Sequence, residues 1–156
     1  MGISEVSRAT TTGRILLAVE AVAQSQAVIA TAAQLARRSH AEVLVLSVRE
    51  RDYARGFVWD VRPPGEIAET VGGAEYQLRR AGVDASGLIR TARSGRVADE
   101  IVYAARKHHV SEIVIGASRR SWLGRLLMGS VAPRVLRLSD LPVVTVPTNR
   151  LLRAFA

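Results

Sequence analysis

The sequence predicts an α/β domain built around a parallel sheet, and three observations carry that prediction. Five short strand-like segments alternate strictly with four helix-like ones, the pattern of parallel strands joined by right-handed crossovers. Arg14–Val19 (RILLAV) and Ala41–Val48 (AEVLVLSV) are nearly continuous apolar runs, as expected of strands covered on both faces. Near the end, Ser111–Pro147 reads as a strand, a glycine-edged basic loop, a helix start and a last strand. A helix N-terminus facing such a loop offers free N–H groups and partial positive charge to an anion.

The elements follow in order. Residues 1–13 are polar and unpatterned, so a mobile tail is expected ahead of a domain over residues 14–147. The first strand, Arg14–Val19, ends at Glu20. A helix is expected over Ala23–Ser39, with Val28, Ala32, Leu35 and Ala36 as its apolar stripe. Ala41–Val48 is the second strand.

Arg49–Pro64 reads as a long charged loop carrying Tyr53, Phe57 and Trp59. Its aromatics either cap a ligand or, as the plainer expectation, fold back as a satellite cluster. Gly65–Ala81 has Ile67, Val71, Ala74 and Leu78 at helical spacing, and Gly82-Val83-Asp84 ends it. Gly87–Ala92 is a weaker strand, and Gly95–His108 a helix with Val97, Ile101, Ala104 and Ala105 inward. Glu112–Ile115 is the fourth strand, followed by a loop over Gly116–Met128. The last helix opens at Gly129-Ser130, where Ser130 suits an N-cap and Pro133 is tolerated in the first turn. Pro142–Val146 is the last strand, and residues 148–156 form a second tail.

Composition narrows the chemistry. The 156 residues contain no cysteine, which excludes disulfides, thiolate metal sites and cysteine nucleophiles. No apolar run approaches the ~18 residues of a membrane span, and the N-terminus lacks the basic-then-apolar pattern of a signal peptide, so a cytoplasmic address is expected. Net charge is +8, unevenly spread. Residues 1–115 hold 15 Lys/Arg against 13 Asp/Glu, whereas residues 116–156 hold seven arginines and only Asp140. The last third is therefore either a field for a polyanion or an arginine-decorated solvated surface.

Several motifs are absent. Gly124–Ser130 (GRLLMGS) has P-loop glycine spacing but no Lys before its Ser, and no G-x-G-x-x-G follows the first strand. The Ser-Gly-Gly loop of ATP pyrophosphatases is missing too. Ser130 has no G-x-S-x-G context for a nucleophile. His108-His109 fits a helix end, Asp99-Glu100 a helix start, and Trp122 a loop anchor. No general acid–base pair stands out, and no metal site is expected.

One spacing fits a known pattern. Gly116, position 119 and Gly129-Ser130 reproduce glycine, two residues, glycine, nine residues, Gly-Ser/Thr, with Arg119 in place of the middle glycine. Together with LLMGSVAPRVLR (Leu126–Arg137) and the LPVVTVP ending, this resembles the universal stress protein family over about Arg14 to Pro147. The resemblance implies a five-stranded parallel sheet of order 3-2-1-4-5 with four helices on both faces, paired as a homodimer through the last strand, Pro142–Val146. In the ATP-binding branch, Glu20 would meet the ribose or adenine side and the Val48 backbone the adenine. Gly116, Gly129, Ser130 and Val131 would cradle phosphates. The whole implied nucleotide-binding set is Ala18, Val19, Glu20, Val48, Ile115, Gly116, Ser118, Arg119, Gly129, Ser130, Val131 and Ala132. Glu20 stands where the family usually has Asp. Arg119 either blocks the phosphate space or clamps it.

The expected function is a cytoplasmic stress-response module that binds ATP, with Mg²⁺ only alongside the nucleotide, and is not a fast enzyme. The alternative is a dimeric interaction protein with a degenerate, nucleotide-free site. Nucleic-acid binding would rest on charge alone, since basic segments interleaved with aromatics are lacking, and is not expected.

Overall fold

The computed structural model describes residues 13–20, 25–118 and 131–148. Its elements run β1 (Gly13–Ala18), α1 (Gln26–Ser39), β2 (Ala41–Ala54), β3 (Phe57–Asp60), α2 (Pro64–Arg80), β4 (Ala85–Arg93), α3 (Val97–Lys107), β5 (Glu112–Ser118), α4 (Val131–Leu138) and β6 (Val143–Thr148).

The α/β class holds, and β1 sits at the centre. It pairs in parallel with β2 on one side (Leu16↔Leu44, Ala18↔Leu46) and with β5 on the other (Leu16↔Ile113, Ala18↔Ile115). β4 extends the sheet beyond β2, and β6 beyond β5, all in parallel. Apart from β3, this is the expected order with its strands renumbered.

The apolar runs do what their composition requires. Ile15, Leu16 and Leu17 of β1 are fully buried, and their alternation feeds both faces of the sheet. Ile15 and Leu17 join Val43, Val45 and Val114 beneath α1 and α2. Leu16 joins Leu44, Leu46, Ile113 and Ile115 beneath α3 and α4. Each such side chain contributes roughly 1.5–3 kcal/mol on leaving water. The helices present their predicted stripes: Ile67, Val71, Ala74 and Leu78 of α2 are buried, as are Ile101, Ala104 and Ala105 of α3. Val97 and Leu35 are only half-buried, and α1 buries Ile29 and Ala33 in addition to Val28, Ala32 and Ala36.

Two expectations are corrected. The five-strand count fails because Arg49–Pro64 is not a plain loop. β2 runs on to Ala54, turns through Arg55-Gly56 and returns antiparallel as β3, pairing Arg51↔Asp60 and Ala54↔Phe57. Both turn residues are left-handed (φ 47° and 81°), the geometry of a two-residue type I′ hairpin. Nor do the hairpin aromatics form a satellite cluster. Phe57 is 74% exposed, and Tyr53 and Trp59 are exposed as well.

The second correction concerns β5, which continues through Gly116 and Ala117 to Ser118, paired with Val146, Pro147 and Thr148 of β6. Gly116 therefore lies within a strand, not at the start of a loop. A Cβ at Gly116 would stand 2.9 Å from Thr148 Cγ2 and 3.2 Å from Val28 Cγ2, so close packing alone requires glycine there. Gly13 and Thr148, expected in the tails, belong to β1 and β6; residues 1–12 and 149–156 and the helix opening at Gly129-Ser130 lie outside the described residues.

Candidate functional site

The predicted residues converge where β1 stops. Both its neighbours continue past it: β2 beyond Leu46, the partner of Ala18, and β5 beyond Ile115, its partner on the other side. At this point the chain order of the sheet diverges to the two sides, the topological switch point where α/β sheets take ligands. Ala18 ends β1 and Val19 and Glu20 follow it, with Val19 buried and Glu20 exposed.

Backbone direction defines the two walls of this opening. The Val19 N–H donates to the Leu46 carbonyl at 2.9 Å. Peptide groups two residues apart in a strand point to the same edge, so those of Val48 and Glu50 also face the β1 side. Glu50 is occupied, its carbonyl accepting from the Val61 N–H at 2.9 Å. Val48 lies between the last β1 pair and the first β3 pair. Its side chain is buried under the α3–α4 face, and its N–H and C=O face the opening.

The opposite wall is β5. The Ile113 N–H donates to the Pro142 carbonyl at 2.9 Å, on the β6 side. Alternation therefore turns the peptide groups of Gly116 and Ser118 toward the opening. Ile115 contributes through its buried side chain, which packs with Ala132 at the start of α4. Val131 is half-buried beside it. The structure thus brings Ala18, Val19, Glu20, Val48, Ile115, Gly116, Ser118, Val131 and Ala132 to one end of the sheet. Arg119, Gly129 and Ser130 lie outside the described residues.

Cross-links hold the surrounding elements. Arg134 of α4 donates to the Gly95 carbonyl at 3.1 Å and meets Asp99 of α3 at 3.0 Å. Glu50 of β2 accepts from the Ser94 hydroxyl (2.9 Å) and the Gly95 N–H (3.1 Å). The hairpin is pinned by Arg49 and Asp60, and this hydrogen-bonded guanidinium holds the Asp60 carboxyl below the usual carboxylate range.

Sequence reasoning missed the hairpin's part in this site. β3 lies on the same edge of β2 as β1, continuing it end to end past the Val48 gap, and the Arg62 Nη1 donates to the Glu20 carbonyl. No local signal announced this contact, because it depends on the hairpin folding back.

Chemically, the arrangement offers backbone donors and acceptors with one exposed carboxylate. Among the described residues no group of three or more His, Cys, Asp or Glu side chains could hold a metal ion, and no helix is long and apolar enough to cross a membrane. His108, a candidate for a helix-end cation, lies at the opposite end of the sheet. Burial, reinforced by Arg14 and Lys107, pushes its pKa down.

The sequence model of the universal stress protein family matches residues 11–147. Solved structures agree. A universal stress protein from Archaeoglobus fulgidus is 26% identical with a TM-score of 0.70, over 88% of this chain and 98% of its own. A structure of the universal stress protein from Archaeoglobus fulgidus in complex with dAMP is 23% identical, TM-score 0.64, over 88% of this chain and 98% of the other. The family protein At3g01520 from Arabidopsis thaliana, with AMP bound, is 18% identical, TM-score 0.60, over 88% and 93%. No curated protein matches the chain in sequence.

Proposed function

This chain belongs to the universal stress protein family, and from that premise we propose that it is a regulatory module whose ligand is an adenine nucleotide. The observation that carries this reading is the Val48 gap. It presents one peptide N–H and one C=O side by side at the switch point, between β1 and β3. Adenine carries the complementary pair, an acceptor nitrogen beside its N6 amino donor. The nucleotides bound by two structural relatives, dAMP and AMP, support the same ligand class.

In this reading the base lies against Val48 and the ribose near Glu20. The phosphates extend toward Gly116, Ser118 and the segment from Arg119 to Ala132, where Gly129, Ser130 and Val131 supply N–H groups. ATP with Mg²⁺ is the fullest form of the ligand. The chain binds rather than turns over: its sequence has no Walker lysine and no identifiable base to orient water, so any hydrolysis is slow. Binding acts by favouring one conformation of the segment after Ser118, as far as affinity differs between forms. The outer edge of β6 pairs with a second copy, and the module works in the cytoplasm.

The exposed hairpin aromatics favour a second reading, an interaction protein whose nucleotide site is self-occupied by Arg119. Calorimetric titration of ATP with Mg²⁺ and of AMP, into the native chain and Arg119→Gly, separates the two. Micromolar binding by the native chain supports the nucleotide module. Silence from the native chain with binding by Arg119→Gly moves the case to the interaction protein.

A further inference from the structure

Six arginines among the described residues are half-buried: Arg14, Arg49, Arg51, Arg62, Arg90 and Arg134. Five have a carboxylate partner. Arg14 meets Glu42, Arg49 and Arg51 share Asp60, Arg90 meets Glu100, and Arg134 meets Asp99. Of these six, Arg62 is the one with no ion pair to a described residue. Its Nη1 donates to the Glu20 backbone carbonyl, which supplies a hydrogen bond but no countercharge.

A half-buried guanidinium is best satisfied by an anion that meets its planar donors. The other five half-buried arginines among the described residues each have a carboxylate. The exception borders the candidate site. The Val61 N–H fixes the residue before Arg62 to Glu50, and the Arg62 side chain reaches from there to the end of β1. The guanidinium therefore stands at the rim of the opening, beside the Val48 gap.

We propose that Arg62 is an anion-binding residue of the site and that its missing partner is the phosphate of a bound nucleotide. The proposal rests on the nucleotide reading above and extends it, because it adds a side-chain cation from the hairpin to the backbone groups and the Glu20 carboxylate described above. The Glu20 carbonyl holds the guanidinium by one nitrogen and leaves its remaining N–H groups for a phosphate, which they suit in planar, paired geometry. The hairpin is then part of the ligand site, and the strong Arg49–Asp60 clamp serves to position Arg62.

The test compares AMP, adenosine and inorganic phosphate on the full chain. Arginine-specific dicarbonyl labelling, followed residue by residue by peptide mapping, reads Arg62 directly, with exposed Arg38 as the internal control. AMP is expected to slow labelling of Arg62 but not of Arg38, and adenosine to leave both unchanged. In parallel, Arg62→Gln, which keeps a donor for the Glu20 carbonyl, should bind AMP about tenfold more weakly and adenosine as before. Inorganic phosphate protecting Arg62 in a chain that binds no AMP would uphold the anion site and overturn the nucleotide reading. Labelling of Arg62 indifferent to both AMP and phosphate would overturn the proposal. So would an Arg62→Gln variant, folded by circular dichroism, that binds AMP as tightly as the native chain or more tightly.

Discussion

Arg49 holds Asp60 through two parallel hydrogen bonds of 2.6 Å, Nε to Oδ1 and Nη2 to Oδ2. Arg51 Nε stands 3.6 Å from the same Oδ1, close enough for charge but not for a hydrogen bond. One carboxylate on β3 thus neutralises arginines from successive turns of the β2 pleat. It fixes the hairpin at its base, just where the chain leaves toward Arg62.

This clamp has a pH signature. The Arg49 hydrogen bond lowers the Asp60 pKa in the folded chain, while the unfolded carboxyl titrates near ~3.9. A group with a depressed folded pKa stabilises above its unfolded pKa and loses that contribution as pH falls through the folded value. The contribution is therefore complete at neutral pH and fades below about pH 4. Asp60→Asn should lower the melting temperature at pH 7 modestly, because the pair is partly solvated. Its melting curve should then fall less steeply than the native one below that pH, as thermal melts across the range would show.

The hairpin turn gives a second prediction. Gly56 has φ 81°, and no atom would meet an added Cβ there, so a substitution acts through backbone strain alone. Gly56→Val should cost roughly 1–2 kcal/mol locally. Because β3 is short and exposed, that loss should appear as local opening. Hydrogen exchange should quicken at Val58–Val61, with the amides of β1 and β5 unchanged. Equal quickening in all three would mean that the hairpin is part of the global folding unit.

What the sequence revealed and concealed follows from the range of each signal. Ile15–Leu17 and Val43–Leu46 are apolar without interruption, which only a sheet covered on both faces explains, so the centre of the fold could be read locally. The spacing of Ile67, Val71, Ala74 and Leu78 likewise exposed the buried face of α2. The hairpin was hidden because its turn is Arg55-Gly56 rather than Asn-Gly and its first strand is Arg-Glu-Arg-Asp, with no apolar alternation. Gly116 resembled a loop glycine because its small size answers to Val28 and Thr148, both distant in sequence. The strand ends of the site were legible from the fold class. Arg62 was not, since its place depends on a hairpin that local pattern does not announce.

Gly116 gives a third prediction, separating packing from ligand binding. Gly116→Ala places a methyl 2.9 Å from Thr148 Cγ2 and 3.2 Å from Val28 Cγ2. Such overpacking costs about 1–3 kcal/mol, measurable as a lower urea midpoint. Thr148→Ser removes the nearer methyl, so the double variant should recover part of the loss. Failure to recover any of it would place the strain at Val28 or in the backbone.

The Val48 gap makes the sharpest demand on the ligand. Its peptide offers a donor and an acceptor in fixed order, and adenine meets them with an acceptor nitrogen and an amino donor. Inosine monophosphate keeps the ribose and phosphate of AMP but reverses that edge, presenting a carbonyl oxygen and a ring N–H. Opposed to Val48 in the same pose, donor would face donor and acceptor would face acceptor. The peptide groups, already withdrawn from water, would be left unpaired at roughly 1–3 kcal/mol. AMP should therefore bind at least about fivefold more tightly than inosine monophosphate in side-by-side titrations. Equal affinities would mean that the base is read elsewhere or not at all. Selectivity that survives Arg62→Gln would show that base and phosphate are recognised by separate groups, the peptide of β2 and the guanidinium beyond β3.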